Sequence, residues 1–237
     1  MKAILLAAGR GTRISRMVEA VPKSTLPIDG VPLIRHTVEL FSSAGIECVV
    51  GVGYQKEKVY AALEGLNVSF CVNPFFDVTN SIASLWFAKD HFNDDMIIMN
   101  ADVYLSSDIL KLVLDDPNDV VMAIAKSRVE VGDYFFATTD TGCITAYGKE
   151  LPLENRTCEY VGVCKMTKAF VPAFLDRMDS LILDNQHGLW WENVIYSFTN
   201  ERNIYTVDVD GRFWSEIDYF DDYERILRHI EKERSLV

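Results

Sequence analysis

Short apolar runs alternate with amphipathic segments through the first half of the chain. The run at residues 2–7 has the length and composition of a buried strand, and residues 47–53 repeat that character. Between them, at residues 32–44, apolar side chains recur on one helical face, and Gly45 follows as a helix stop signal. This alternation predicts βαβ units built around a mostly parallel sheet.

The rest of the chain first continues this pattern and then departs from it. Before residue 119 the pattern predicts helices from about residue 56 and over residues 81–92, and strands over residues 68–72 and 96–101. Beyond residue 120, strand-like runs follow one another with few helices between them, which predicts an antiparallel extension. The predicted strands there are residues 120–125, 134–138, 160–166, 204–209 and 213–217, and the predicted helices are residues 168–183, 191–199 and from about residue 220.

These elements predict one α/β domain over residues 1–237. Its expected core is a Rossmann-like, mostly parallel mixed sheet flanked by helices, with the antiparallel strands added at one side. A chain of 237 residues with 49% hydrophobic content is long enough to bury such a core. We find no linker rich in Gly, Pro or Ser and no repeat, so both halves are expected to share one sheet.

Composition narrows the possible partners. The formal net charge of −12 argues against a broad electrostatic contact with nucleic acid or anionic lipid, so an anionic ligand must be held locally. Five cysteines without a CxxC pair indicate buried thiols in a reducing compartment. The apolar runs are shorter than the roughly 20 residues that a membrane helix needs, and residues 9–13 interrupt the apolar start of the chain. We therefore expect a soluble, cytoplasmic protein.

A glycine loop follows the first predicted strand, with the sequence Leu-Ala-Ala-Gly-Arg-Gly-Thr-Arg at residues 6–13. Loops of this kind bind phosphates, because glycines let backbone N–H groups approach oxygen atoms and a following Arg adds a charge-assisted contact. The dinucleotide motif GxGxxG would need its third glycine at Ile14, and no glycine precedes Lys23 and Ser24 as a Walker loop requires. An ordinary βα turn is the structural alternative.

The dipeptide Pro-Lys at residues 22–23 follows this loop by ten residues. Loop and dipeptide together resemble the signature of the sugar-phosphate nucleotidyltransferase superfamily, which includes uridylyl-, thymidylyl-, guanylyl- and cytidylyltransferases. The resemblance implies that the loop faces a triphosphate, that the strand end passes beside the base, and that the lysine reaches the transferring phosphate. The residues it assigns to the nucleotide are Leu6, Ala7, Ala8, Gly9, Gly11, Arg13 and Lys23, of which Arg13 and Lys23 are the catalytic candidates.

A carboxylate follows the predicted strand at residues 96–101, where an α/β sheet offers its binding crevice. Asp102 is therefore a Mg²⁺ candidate, because Mg²⁺ prefers one or two carboxylates together with phosphate oxygens. The same resemblance nominates Asp218 as the second metal ligand and places Ala101 beside the nucleotide. A turn or capping role is the alternative for Asp102. Nearby acids that could be confused with Asp218 are Asp208, Asp210 and Glu216.

Residues 73–86 resemble the stretch that reads the base in the cytidylyltransferase branch, particularly in phosphocholine and phosphonate cytidylyltransferases. Asn80 and Ser84 are four residues apart and share a helix face, and amide and hydroxyl groups suit the edge of a pyrimidine. Both are assigned to the base, and CTP is the expected nucleotide. Helix capping is the alternative for Asn80.

Residues 187–194 and 214–219 again resemble the compact phosphocholine-type enzymes. The paired Trp190 and Trp191 stand beside an acid and would suit an ammonium group through cation–π contact, although both could belong to the core. The residues assigned to an acceptor are Tyr134, Trp190, Trp191, Glu192 and Asn193.

The resemblance implies a nucleotide-binding half at about residues 1–119 and an acceptor-binding half at about residues 120–237. The expected reaction transfers CMP from CTP to a small phospho-alcohol or phosphonate, with Mg²⁺ as cofactor and pyrophosphate as product. A sugar-1-phosphate uridylyl-, thymidylyl- or guanylyltransferase is the nearest alternative, and a non-catalytic nucleotide sensor is a more distant one. A dinucleotide-dependent oxidoreductase is disfavoured by the missing third glycine. The acceptor and the oligomeric state stay open.

Overall fold

The computed structural model describes residues 1–11 and 21–235, which fold around a nine-stranded mixed sheet. In chain order the strands are β1 (Lys2–Ala7), β2 (Pro27–Ile28), β3 (Val31–Pro32), β4 (Glu47–Val52), β5 (Val68–Val72), β6 (Met96–Asn100), β7 (Val103–Leu105), β8 (Val120–Ala125), β9 (Phe135–Thr138), β10 (Ile144–Gly148), β11 (Cys158–Met166), β12 (Tyr205–Asp208) and β13 (Trp214–Glu216). The helices are α1 (Leu33–Ser43), α2 (Lys56–Ala62), α3 (Ser81–Trp86), α4 (Ser107–Asp115), α5 (Val171–Leu183), α6 (Glu192–Tyr196) and α7 (Phe220–Arg234).

The first half of the chain forms the parallel part of this sheet, in the order β5–β4–β1–β6. Strand β1 lies in the middle, with Lys2 opposite both Glu47 of β4 and Met96 of β6. Helices cover both faces, which explains why the inner strands β1, β4 and β6 are mostly apolar without regular polar alternation. The carboxyl ends of β1 and β6 therefore lie side by side at one edge of the sheet.

The second half adds the predicted antiparallel strands. β11 runs antiparallel to β6 along one edge and to β8 along the other, while β9 pairs with its first residues and β10 pairs with β9. Only β12 is parallel to its neighbour, β8.

The pairing of β11 with β8 shifts register between Tyr160 and Cys164. Gly162 lies in this shift with a φ of +91°, and a Cβ there would lie 2.9 Å from Val103 Cγ2.

Two hydrophobic clusters fill the space between the sheet and its helices. Successive β1 side chains enter opposite clusters, with Ile4 on one side and Leu5 on the other. The cluster around Ile4 includes apolar residues of α3, α5 and α6, and the cluster around Leu5 includes those of α1, α2 and α4. The molecule is thus a three-layer α/β/α structure, as the apolar pattern predicts.

A third, smaller cluster holds the last helix against the segment that follows the glycine loop. Ile226 of α7 is completely buried against Leu26 and Ile28, and the Tyr223 hydroxyl donates a hydrogen bond to the carbonyl of Pro27 (2.5 Å). This contact fixes the short 3-10 turn Lys23–Thr25, which carries one of the predicted catalytic residues. The charged face of α7 is therefore only one side of a helix whose other side is packed.

The structure adds elements that the apolar pattern does not predict. These are α4, β10, the hairpin of β2 with β3, and the pairing of β7 with β13. The helix predicted over residues 81–92 ends at Trp86 and gives way to a 3-10 turn at Lys89–His91. Among residues 1–11 and 21–235, no helix has both the length and the apolar character required to cross a bilayer.

Candidate active site

A cleft follows the edge of the sheet where β1 and β6 end. It consists of two adjoining cavities of about 300 and 370 Å³. The residues that line both cavities are Leu6, Gly9, Asn80, Asp102, Trp190 and Asp218. Residues predicted to bind the nucleotide, the metal and the acceptor therefore meet in one continuous space, at the edge where open α/β sheets bind ligands.

Lys23 lies between the two predicted metal ligands. Its ammonium is 2.5 Å from Asp218 Oδ1 and 3.5 Å from Asp102 Oδ2, and only 10% of its side chain is exposed. Burial by itself lowers the pKa of Lys23, but the charges of Asp102 and Asp218 raise it, and the net shift is upward. The lysine is therefore a fixed positive charge at the centre of the cleft.

A third carboxylate completes this cluster. Glu216 ends β13, two residues before Asp218, and the structure brings carboxylate oxygens of Asp102, Glu216 and Asp218 within 4.8 Å of one another. The pairing of β13 with β7 places them so, because β7 begins one residue after Asp102 and Glu216 lies opposite Val103. In the sequence Glu216 is only one of several acids near Asp218.

The electrostatics of the cluster favour a bound cation. Burial is the main reason why the pKa of Asp102 is raised, and the charge of Asp218 adds to that increase. Burial also raises the pKa of Glu216 well above its usual range, followed by the charges of Asp102 and Asp218. Three converging carboxylates outnumber the single lysine, and their oxygen donors fit the preference of Mg²⁺ for hard ligands. The residues present thus suit the expected metal.

The glycine loop lies directly above the lysine. Gly11 has a φ of +59°, and a Cβ at this position would lie 2.6 Å from Lys23 Cγ. A glycine here lets the stem of Lys23 pass beneath the loop. The other loop and strand-end residues predicted to contact the nucleotide also line the cleft, namely Leu6, Ala7, Ala8, Gly9 and Ala101. Arg13 lies outside the described residues, so its assignment stays a prediction.

The predicted base-reading residues begin α3 at the side of the cleft. Asn80 does cap the helix, since its Oδ1 accepts a hydrogen bond from the backbone of Ser81 (2.8 Å), and it also lines both cavities. Ser84 lies one turn further on and is 4% exposed. Its hydroxyl accepts a hydrogen bond from Asn73 Nδ2 (3.0 Å). Capping and base contact are compatible for Asn80, because only its side-chain oxygen is used by the cap.

Three of the five predicted acceptor residues line the cavity of about 300 Å³: Tyr134, Trp190 and Glu192. The Trp190 ring is 40% exposed and lies edge-on to Tyr134, with 5.9 Å between ring centroids. Burial raises the pKa of Glu192 to about 7, with a smaller increase from the charge of Asp102, while the hydrogen bond from Asn100 opposes the rise. This end of the cleft combines aromatic faces with an acid of unusually high pKa.

Of the other two acceptor assignments, that of Trp191 is wrong and that of Asn193 stays a prediction. Trp191 has no exposed surface and packs in the hydrophobic core, so in this structure it cannot touch a ligand. Its indole Nε1 instead donates a hydrogen bond to Asn100 Oδ1 (2.9 Å). Asn193 is half-buried on α6 and is not among the residues that line the two cavities. Consecutive residues at a helix start point in different directions, which is why Trp190 and Trp191 have different surroundings.

Asn100 is a site residue that the sequence analysis did not nominate. It ends β6 two residues before Asp102, and its Nδ2 donates a hydrogen bond to Glu192 Oε1 (3.2 Å). With the bond from Trp191, this side chain connects the end of β6 to the start of α6. The only signal in the sequence is a polar residue that ends an apolar strand.

Hydrogen bonds also connect the predicted base side of the cleft, at the start of α3, to the predicted acceptor side. The backbone N–H of Asn80 donates to the carbonyl of His187 (2.9 Å), and that of Ile82 donates to Leu189 (3.3 Å). In the opposite direction, the backbone of Trp191 donates to the Ser81 hydroxyl (2.9 Å). The start of α3 and residues 187–191 therefore form one connected wall.

Comparison with known proteins agrees with this architecture. A family model described as the MobA-like NTP transferase domain matches residues 3–185. The chain is 26% identical to CTP:phosphoglutamine cytidylyltransferase of Campylobacter jejuni subsp. jejuni serotype O:2, over 94% of this chain and 98% of that protein. It is 24% identical to choline-phosphate cytidylyltransferase of Streptococcus pneumoniae, over 98% of this chain and 100% of that protein.

A solved structure supports the fold independently. The structure of CTP:phosphocholine cytidylyltransferase from Streptococcus pneumoniae matches with a TM-score of 0.78 at 22% identity, and covers 97% of this chain and 98% of that one. The nucleotidyltransferase type of α/β fold predicted from the sequence is thus confirmed.

Proposed function

The chain belongs to the family of MobA-like NTP transferase domains, and from that premise we propose that it transfers CMP from CTP to a small phospho-alcohol or phosphonate, releasing pyrophosphate. It is an NTP-dependent transferase with relatives named as cytidylyltransferases along nearly its whole length. The observation that carries the proposal is the cluster of Lys23 with three carboxylates. It lies where β6 ends, beneath the glycine loop that follows β1.

The proposed reaction is an in-line displacement at the α-phosphorus of CTP. An oxygen of the acceptor phosphate or phosphonate forms the new P–O bond, while the bond from the α-phosphorus to the bridging oxygen breaks. The bond electrons leave with that oxygen, which becomes part of pyrophosphate. Because the attacking oxygen is already anionic, the step needs no general base. The protein must bring two anions together and offset their repulsion.

The residues of the cleft are suited to that task. In our proposal Asp102, Glu216 and Asp218 hold Mg²⁺, whose charge offsets that of the phosphate oxygens when it is bound. Lys23 is adjacent to this cluster and contacts phosphate oxygens during transfer. Gly9 and Gly11 let the loop backbone approach the triphosphate, and Arg13 adds a second cationic contact.

The preference for CTP rests on two kinds of support. Two relatives that match along nearly their whole length are named as cytidylyltransferases. The wall at the start of α3 also offers an amide and hydroxyl groups at Asn80, Ser81 and Ser84 that can satisfy both donors and acceptors of a cytosine edge. A sugar-1-phosphate nucleotidyltransferase would share Lys23 and the carboxylates, so nucleotide preference separates the two functions.

The test is pyrophosphate release in the presence of Mg²⁺, with each of CTP, UTP, GTP, ATP and dTTP combined with phospho-alcohols, phosphonates and sugar phosphates. We expect turnover with CTP and an amino-bearing acceptor. Turnover only with UTP, dTTP or GTP and a sugar phosphate would replace the proposed substrates. Nucleotide binding without any turnover across the panel would favour the sensor.

A further inference from the structure

An ion pair lines the cavity of about 300 Å³, next to the predicted acceptor residues Tyr134 and Trp190. The Lys149 ammonium is 2.6 Å from Asp133 Oδ2, and both residues line the cavity that also contains Asp102 and Asp218. Lys149 follows directly after β10, and Asp133 lies in the loop before β9. A ligand in this cavity would therefore meet the positive charge of Lys149 and the negative charge of Asp133 side by side.

Lys149 also occupies the aromatic surface of this part of the cavity. Its ammonium lies 5.2 Å from the centre of the exposed Trp190 ring, which is a cation–π distance. A trimethylammonium group would use the same aromatic face and would have to compete with Lys149 for it. This part of the cavity is thus poorly suited to a trimethylammonium group that has no negatively charged group beside it.

The position of this pair is fixed by its surroundings. The backbone N–H of Asp133 donates to Glu159 Oε1 (2.9 Å), and the buried Glu159 is held in turn by Arg128 (2.5 Å). Beside Lys149, the Tyr147 ring stacks on Tyr196 with 4.3 Å between centroids. An arrangement held in this way is ready for a ligand before it arrives.

We infer that the acceptor carries a carboxylate beside its ammonium, as in the head of an α-amino acid, and that Lys149 binds the carboxylate while Asp133 binds the ammonium. This inference rests on the proposed function and names the class of its acceptor as amino acids bearing a phosphate or phosphonate. The half-exposed pair contributes little to folding stability. Its charges are therefore free to serve recognition.

Two matched pairs of acceptors test the inference. O-phospho-L-serine differs from phosphoethanolamine by one carboxylate, and 2-amino-4-phosphonobutyrate differs in the same way from 3-aminopropylphosphonate. With CTP and Mg²⁺, we expect kcat/KM to be about 10-fold higher for the carboxylated acceptor of at least one pair. One charge pair between the acceptor carboxylate and Lys149, desolvated on binding, can provide a difference of this size. Phosphocholine is expected to be a poorer acceptor than O-phospho-L-serine.

A pair of variants assigns that preference to Lys149. Lys149→Met keeps the length and the apolar stem but removes the charge, so we expect the ratio within the preferred pair to fall to about one. The variant should also accept phosphocholine better than the wild type does, because the Trp190 face is no longer occupied. Lys126→Met is the control, since Lys126 pairs with Asp208 (3.5 Å) and does not line the cavity. It should keep the wild-type ratio.

The outcomes separate this inference from the function on which it rests. CTP turnover with equal kcat/KM for both members of each pair would overturn the inference and leave the proposed function standing. A carboxylate preference that survives in Lys149→Met would overturn the role of Lys149. If no acceptor supports CTP turnover, the proposed function fails. In that case, calorimetric titration of the same acceptors, with and without CTP and Mg²⁺, tests the inference. Equal binding of the two acceptors in each matched pair, or no binding of either, would overturn it.

Discussion

Lys23 lies between two carboxylates that are 79 and 195 residues away in the chain. At the scale of single residues, the site depends on such contacts between opposite charges from distant segments. The lysine offsets the mutual repulsion of Asp102 and Asp218 in the absence of ligand. Each member of the cluster should therefore matter more to catalysis than to folding.

Removing one carboxylate charge at a time tests the cluster. We expect Asp102→Asn and Asp218→Asn each to lower kcat by at least about 100-fold, because metal-assisted charge stabilisation is lost in the transition state. Steady-state pyrophosphate release and circular dichroism provide the measurements. Asp108→Asn is the control, since Asp108 pairs with the exposed Arg212 outside the two cavities. Wild-type rates in either site variant would refute the metal assignment.

Gly11 offers a test of how the loop positions Lys23. Gly11→Ala introduces a Cβ that meets the lysine stem, so we expect kcat/KM to fall at least about 10-fold, together with a stability loss of about 1 kcal/mol from the positive φ. Gly65→Ala is a matched control, because Gly65 has a φ of +83° but open space around it. The control should share the stability loss and keep its activity. Equal activity of both variants would contradict a positioning role for the loop.

Glu192 makes stability depend on pH in a defined direction. Its pKa in the folded protein is raised to about 7, mainly by burial, from an ordinary value of 4.5. Above pH 4.5 the unfolded chain releases this proton while the folded chain keeps it, so wild-type stability falls as the pH rises towards 7. Glu192→Gln has no proton to lose at this position. Its free energy of unfolding should therefore rise relative to that of the wild type by up to about 3 kcal/mol between pH 4.5 and 8. Urea unfolding across this range measures it, and parallel pH profiles would contradict it.

At the scale of elements, the base side of the cleft is a loop organised by one buried side chain. Asn73 is 1% exposed, and its amide donates to the hydroxyls of Thr79 (3.1 Å) and Ser84 (3.0 Å). Its Oδ1 accepts a hydrogen bond from the backbone of Phe75 (2.9 Å). These three bonds fix the path from β5 into α3.

Loss of that side chain should loosen the loop. Asn73→Ala removes the bond to the buried Ser84 hydroxyl and two partly buried bonds, so we expect a destabilisation of about 1–3 kcal/mol and a higher KM for CTP. Chemical denaturation and initial rates at saturating acceptor measure the two effects. Asn203→Ala, which loses only an exposed bond to Tyr205, should change neither. An unchanged KM for CTP would mean that this loop does not read the base.

The sequence predicts elements well where their apolar pattern is local. The strands over residues 68–72 and 120–125 have the predicted bounds, because the second is one uninterrupted apolar run and the first is interrupted only by Ser69. Strands β7 and β13 have three residues each, and their pairing depends on residues more than a hundred positions apart. That pairing brings Glu216 to Asp102, so no local pattern marks Glu216 as the third carboxylate.

The same limit explains which site residues the sequence identifies. The glycine loop follows from the end of the first predicted strand, Lys23 from the spacing of the resembled signature, and Asp102 from the end of the strand predicted at residues 96–101. Asn100, Lys149 and the difference between Trp190 and Trp191 depend on how separate elements meet. At loop and element ends, which lack a regular period, residue type and sequence neighbours do not fix which way a side chain turns after packing.

At the scale of the whole molecule, the two halves share one sheet. β11 from the second half pairs with β6 from the first, and β8 and β9 pair with β11 in turn. Both sheet faces are covered by clusters that contain residues from the two halves. Neither half can bury its own sheet edge alone.

A shared sheet predicts cooperative unfolding. We expect urea unfolding to give one transition, with coincident midpoints for tryptophan fluorescence and for far-ultraviolet circular dichroism. The expressed fragment of residues 1–119 should fail to fold, because it exposes the edge of β6. Separate midpoints, or a folded fragment, would divide the chain into two domains.

The hydrogen bonds between the start of α3 and residues 187–191 have a consequence for how specificity can change. Under the proposed function, the segment beside the base and the segment beside the acceptor are joined by hydrogen bonds at Asn80, Ser81 and Trp191. A substitution that shifts one segment to suit a new base will move the other as well. A change in the preference for the base is therefore expected to require a matching change in the acceptor segment, in evolution and in protein engineering alike.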